Sequence, residues 1–133
     1  MSFLFTSRTV HVSKTISASK EKVLEFVQDP EKVLHINPLI YSFVQDTQDP
    51  SWYTIKEKLP VLGGLIESST TFRCKWEQVE HGNNVDVEAG LGTRLRNEMR
   101  VSEDSDKAGS CVLAEKVVVK VLTAAHFNTK IDC

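Results

Sequence analysis

"FVQDPEKVLHINPLIYSF", Phe26–Phe43, decides how the chain is read. Two short apolar-periodic pieces are separated by Asp29-Pro30, and the second is stopped by Asn37-Pro38. Asp is a good helix N-cap and Pro is favoured at the first helical position, so a second helix is predicted from about Pro30 to Ile36. The residue before a proline is pushed toward extended backbone, which ends that helix at Asn37. Upstream, Ser17 or Ser19 caps an earlier helix of about two turns, with Val23, Leu24, Phe26 and Val27 on one face. Two stubby helices joined by a bend fit a curved surface better than one straight rod.

Outside this stretch the chain alternates. Val10, Val12 and Ile16 share one face of a strand predicted over Arg8–Ser17. Further strands are predicted at Leu39–Gln45, Trp52–Lys58, Glu67–Glu80, Val85–Ala89, Thr93–Glu103 and Ser110–Val121. In the longest, Phe72, Cys74 and Trp76 face one way while Arg73, Lys75 and Glu77 face the other. His81-Gly82-Asn83-Asn84 reads as a turn. Gly90 and Gly92 bracket a tight connection, and Pro60–Leu65, with Gly63-Gly64, reads as a loop, either an ordinary surface connection or a lid. A helix is expected from about Leu122. Short connections make the strands antiparallel, and the buried face of such a sheet needs the helices as its cover.

Bulk properties narrow the function. At 133 residues, one domain spanning 1–133 is expected. Hydrophobic residues make up 41% and charged residues 26%, with a net charge of −2 and a pI of about 6.1. A nucleic-acid binder concentrates basic residues, and no such excess is present. No stretch has the length of a membrane span or the pattern of a signal peptide, so a cytoplasmic protein is expected. Cys74, Cys111 and Cys133 are odd in number and widely spaced, which argues against a disulfide framework or a structural zinc site. Cys74 is read as a buried free thiol. No metal site, nucleophile motif, phosphate loop or dinucleotide fingerprint is found, and no cofactor is expected.

Several segments carry a family resemblance: "TISASKEKVLEFVQDPEKVLHINPLI", "WYTIKEKLPVLGG", "TTFRCKWEQVEHG", and "VLAEKVVVKV" with "AAHFNTK" after it. Their order resembles the helix-grip fold of the START and polyketide-cyclase superfamily, which includes the plant pollen-allergen proteins. More narrowly it resembles a group of small fungal proteins of that superfamily. The resemblance implies an α+β fold: a curved antiparallel sheet of about seven strands, two short helices after the first strand, and a short C-terminal helix over the sheet. That superfamily usually ends in a long helix across the sheet's mouth. About a dozen residues follow Val121, enough for about three turns. The pocket is then smaller, more open at one end, or closed by a second subunit as a homodimer.

The resemblance further implies an internal apolar pocket for lipids, sterols, polyketides or plant hormones. A few members are cyclases, dehydratases or isomerases. Polar residues on the inner face are then the informative ones. Asn97 shares parity with Leu95, Met99 and Val101, and Tyr53 with Ile55. Glu115 lies inward if Leu113, Val117 and Val119 do, and on the solvent face if Val112, Ala114 and Val118 do. An inward carboxyl has its pKa raised by burial, as a general acid or base requires. Asn97 either orients a ligand carbonyl or satisfies backbone at a bend. His35 lies on the element expected to floor the pocket, although packing is the commoner role of such a histidine. Candidate catalytic residues are Glu115, Tyr53 and His35. Candidate ligand contacts are Phe72, Trp76, Asn97, Met99, Leu95, Val117 and His126. Arg94, Arg96 and Arg100 form a stripe interrupted by Glu98, which reads as a solvated sheet face.

Three functions remain open. The first is a binding module for a hydrophobic small molecule, lipid or polyketide-like. The second is a cofactor-free cyclase, dehydratase or isomerase of a polyketide-like intermediate in secondary metabolism. The third is a protein-interaction domain with a filled core.

Overall fold

The computed structural model describes residues 3–61, 66–90 and 92–124. Along the chain run β1 (Phe3–Ile16), α1 (Lys20–Val27), α2 (Pro30–Ile36), β2 (Ile40–Gln45), β3 (Trp52–Val61), β4 (Ile66–Val79), β5 (Gly82–Glu88), β6 (Arg94–Glu103) and β7 (Cys111–Ala124). The strands form one curved antiparallel sheet in the order β1-β7-β6-β5-β4-β3-β2. Both helices sit on its inner face, between the two edge strands in sequence.

Capping chemistry sets the two helices. Ser19 accepts a hydrogen bond from the Lys22 backbone N–H at 3.3 Å and starts α1. At the other end, the Gln28 side chain donates to the Val79 carbonyl at 2.7 Å and ties α1 to the end of β4. Asp29 caps α2 by accepting from the N–H groups of Glu31 and Lys32, at 3.0 and 3.4 Å. Such a cap contributes about 1 kcal/mol. Asn37 closes the segment, its side chain accepting from the Leu39 N–H at 3.0 Å.

Two apolar clusters form the core. Val23 and Val27 of α1 pack against Val101 and Cys111 of the sheet. Under α2, Tyr53, Ile55, Cys74 and Trp76 form the second cluster, flanked by Val33 and Leu34. α2 has no fully buried side chain of its own, so it rides on this cluster rather than within it. Cys74 is 2% exposed and free. Burial pushes its thiol up to about 11. The sign follows from the neutral form being favoured in the fold. Stability from burying it is intact below the unfolded thiol's pKa of about 8.5 and is lost as pH rises toward the folded value. Urea midpoints measured across that alkaline window should fall more steeply for the wild type than for Cys74→Ala.

Some expected boundaries move. The turn expected at residues 81–84 is shorter: Val79 pairs with Gly82, leaving Glu80 and His81 as the connection. Asn83 and Asn84 are strand residues because their carboxamides bond to partners across the fold. Asn83 donates to the Val27 carbonyl at 2.6 Å, and Asn84 to Glu77 at 2.7 Å. β1 begins at Phe3 rather than Arg8, and its early residues give β7 partners as far as Ala124, paired with Phe3. Residues 122–124 are therefore strand, not the start of a helix. The remainder of the expected C-terminal helix, 125–133, lies outside the described residues. Pro60 and Val61 extend β3, pairing with Glu67 and Ile66, and the rest of the expected lid loop also lies outside the described residues.

The sheet's outer face is charged and internally paired. Arg96 grips both Asp86 carboxylate oxygens at 3.1 Å and Glu98 at 3.2 Å. Arg100 donates to the carbonyls of Asn83 and Met99 and to the Asn84 side chain. These guanidinium donors are occupied within the sheet, in keeping with a solvated face rather than a phosphate site.

Candidate ligand-binding groove

Between α1, α2 and the inner face of β6 and β7 lies a groove of about 380 Å³. Phe26 and Val27 of α1 and Val33 and Ile36 of α2 form one wall, Met99 and Leu113 the floor, and among the described residues Lys22 is its one charged lining group. The helical wall follows from the bend at Asp29-Pro30, which turns α2 so that both short helices present apolar residues to one space. Ile36 is 63% exposed there. Two further hollows, of about 420 and 380 Å³, open on the outer face. They are lined by ionised side chains such as Arg94, Glu98 and Lys116, which remain solvated and favour no apolar occupant.

Strand pairing places most of the expected site residues. Trp76 pairs with Val85, Val85 with Asn97, Asn97 with Val117 and Val117 with Val10. Directly paired residues share a face, so this row runs across the inner face from the Tyr53 cluster to the β1 edge. A second row joins Asn83, Met99, Glu115 and Val12. Glu115 thus lies inward, beside the groove floor, and is half-buried. Leu95 pairs with Val87 on the same face, and Phe72 with Ile55. His126 lies outside the described residues. At the β1 edge the inner face is open: Val10 and Val12 are 52% and 46% exposed.

Tyr53 is 8% exposed, and burial raises its hydroxyl pKa, with Glu31 acting in the same direction. The Nδ1–H of His35 donates to the Glu31 carbonyl at 2.7 Å, and its ring meets Phe43 edge-on at 5.1 Å. That is a packing arrangement at the β2 edge. Tyr53 and Glu115 are separated by four strand spacings, roughly 19 Å measured along the sheet. None of these three candidate catalytic groups lines the groove.

Of the expected contacts among the described residues, only Met99 lines the groove itself. Sequence reasoning missed the helical wall, although the spacing of Val23, Phe26 and Val27 marked an apolar face there. Such a face reads as core until the bend shows that part of it borders open space. Asn83 was missed because Gly-Asn-Asn is a turn signature, whereas this asparagine is 1% exposed and anchors the end of α1.

A seven-stranded sheet curved around two short helices, with an apolar groove between them, defines a helix-grip protein. Solved structures share this fold. Norcoclaurine synthase from Thalictrum flavum aligns with a TM-score of 0.63 at 16% identity, over 88% of this chain and 77% of that one. A START superfamily protein from Mycobacterium smegmatis aligns with a TM-score of 0.61 at 15% identity, over 88% and 79%. The Zhui aromatase/cyclase from Streptomyces sp. R1128 gives 0.61 at 16%, over 90% and 71%. No curated protein matches the chain. The chain belongs to the family described as "Domain of unknown function (DUF7053)", which matches residues 6–121. Among the described residues, no helix is long and apolar enough to cross a membrane, and no three His, Cys, Asp or Glu side chains cluster as metal ligands.

Proposed function

We propose that this protein binds a hydrophobic small molecule, lipid or polyketide-like, in the groove between its two helices and the sheet. The observation that carries the reading is the groove itself. Its volume of about 380 Å³ falls within the range of small-molecule sites, and among the described residues its lining is apolar except for Lys22. Empty apolar space forfeits packing contacts, so a groove of this size between elements that could close on each other favours a role for an occupant. The fold neighbours include a START protein and an aromatase/cyclase, which is consistent with either binding or catalysis. That Glu115, Tyr53 and His35 do not line the groove favours binding over the cyclase, dehydratase or isomerase reading.

The test uses N-phenyl-1-naphthylamine, a neutral probe that fluoresces in apolar surroundings. The wild type should give a saturable rise in emission. Ile36→Arg places a cation in the groove at a site already exposed, so the protein should fold normally. Its probe affinity should drop about tenfold or more, since the guanidinium resists desolvation beside an apolar ligand. Equal affinities in the two proteins would remove the groove as the binding site.

A further inference from the structure

Among the described residues, three buried polar atoms on the inner face have no hydrogen-bond partner: Trp76 Nε1, Asn83 Oδ1 and Asn97 Oδ1. Their residues are not scattered. Trp76 and Asn97 pair with Val85 from its two sides, and Asn83 precedes Val85 by two residues on the same face. Trp76 and Asn97 are two strand spacings apart, roughly 10 Å at the backbone. Asn83 is diagonal to each, at roughly 7–8 Å. Trp76 and Asn83 are 9% and 1% exposed, so bulk water does not serve them.

The set comprises one donor and two acceptors. A ligand carbonyl could accept from the indole N–H but would meet the amide oxygens with another lone pair. An ammonium could donate to the amides but has nothing to offer the indole. A carboxylate would be repelled by both oxygens. A hydroxyl matches, because it accepts once and donates once.

Met99 connects this cluster to the groove. It lines the groove floor, pairs with Asn83, and lies two residues from Asn97 on the same face. The Asn83 Nδ2 is 3.8 Å from its sulfur. An unbranched, flexible methionine is the side chain most easily moved aside by an entering molecule.

We infer that the inner end of the groove is a hydroxyl-recognising subsite. The ligand is then a hydroxylated apolar molecule whose O–H accepts from Trp76 Nε1 and donates to the carboxamide oxygen of Asn97 or Asn83. This rests on the groove being the binding site, and the experiment separates the two ideas. Displacement of bound N-phenyl-1-naphthylamine is measured with 2-ethylnaphthalene, 2-naphthalenemethanol and 2-(methoxymethyl)naphthalene. The first has the shape without the hydroxyl, and the third accepts but cannot donate.

In the wild type, 2-naphthalenemethanol should displace the probe about tenfold more effectively than 2-ethylnaphthalene, as two net hydrogen bonds predict. The methyl ether should lose most of that advantage. Trp76→Phe and Asn97→Leu should each reduce the preference, taken as the ratio of the two affinities within each variant, to about threefold or less, the loss of one such bond. No preference in the wild type, or a preference unchanged in both variants, overturns the subsite while the groove reading stands. If the probe and 2-ethylnaphthalene both fail to bind the wild type, the groove reading falls and takes the subsite with it.

Discussion

Gly82→Ala is expected to destabilise the protein by on the order of 4 kcal/mol or more, the range reserved for changes the structure cannot absorb. A Cβ built on Gly82 would lie 1.8 Å from the Met99 carbonyl oxygen and 2.7 Å from its carbon. Both are backbone atoms of β6, so no side-chain rotation relieves the clash. Gly82 is glycine here for lack of space rather than for an unusual backbone angle. It pairs with Arg100 directly after the Glu80-His81 turn, and the Val101 N–H bonds the His81 carbonyl at 2.8 Å nearby. Forcing β5 and β6 apart disturbs that turn, the Arg100 bonds and the Met99 backbone together. Typical domains have about 5–15 kcal/mol in total, so the variant should show a much reduced urea midpoint or little soluble protein. A loss below about 1 kcal/mol, the centre of the distribution for ordinary substitutions, would show that the two strands have slack that this geometry denies.

Ile55→Ala is expected to cost about 2–5 kcal/mol. Ile55 is 0% exposed and pairs with Phe43 on one side and Phe72 on the other. Truncation removes its own burial and leaves a cavity between two aromatic rings that are fixed by their strands. Ile36→Ala is the matched control: the same chemical change at a side chain 63% exposed should cost no more than about 0.5 kcal/mol. Equal losses at the two sites, measured by urea denaturation, would contradict the placement of the core under α2.

The sequence located the elements well where a local rule governed them. Asp29-Pro30 and Asn37-Pro38 bounded α2 because capping and proline sterics act over one to three residues. The strand expected at Glu67–Glu80 was found within a residue of both ends because a half-buried strand must alternate. Parity also grouped Asn97 with Leu95, Met99 and Val101 on one face, since the side-chain period of a strand does not depend on its neighbours.

Glu115 shows where local rules stop. β7 is apolar on both faces around it, so either parity was acceptable from the sequence alone. Its pairing with Met99 and Val12 resolved the choice, and that pairing joins residues far apart in the chain. Asn83 failed for the opposite reason: its local signal was clear but outcompeted. A carboxamide that reads as turn chemistry instead donates to the end of α1, 56 residues away.

By itself, then, the sequence determined the order of the seven strands and the first two helices, the break between those helices, and which side chains could share a face. Each of these is set by backbone sterics and side-chain period within a few residues. Only the tertiary structure decided which face was concave, that the bend at Asp29-Pro30 left a groove rather than a filled core, and that Trp76, Asn83 and Asn97 surround Val85. Those facts depend on strand register and sheet curvature, which emerge when β1, β5, β6 and β7 are brought together. No local pattern encodes that assembly.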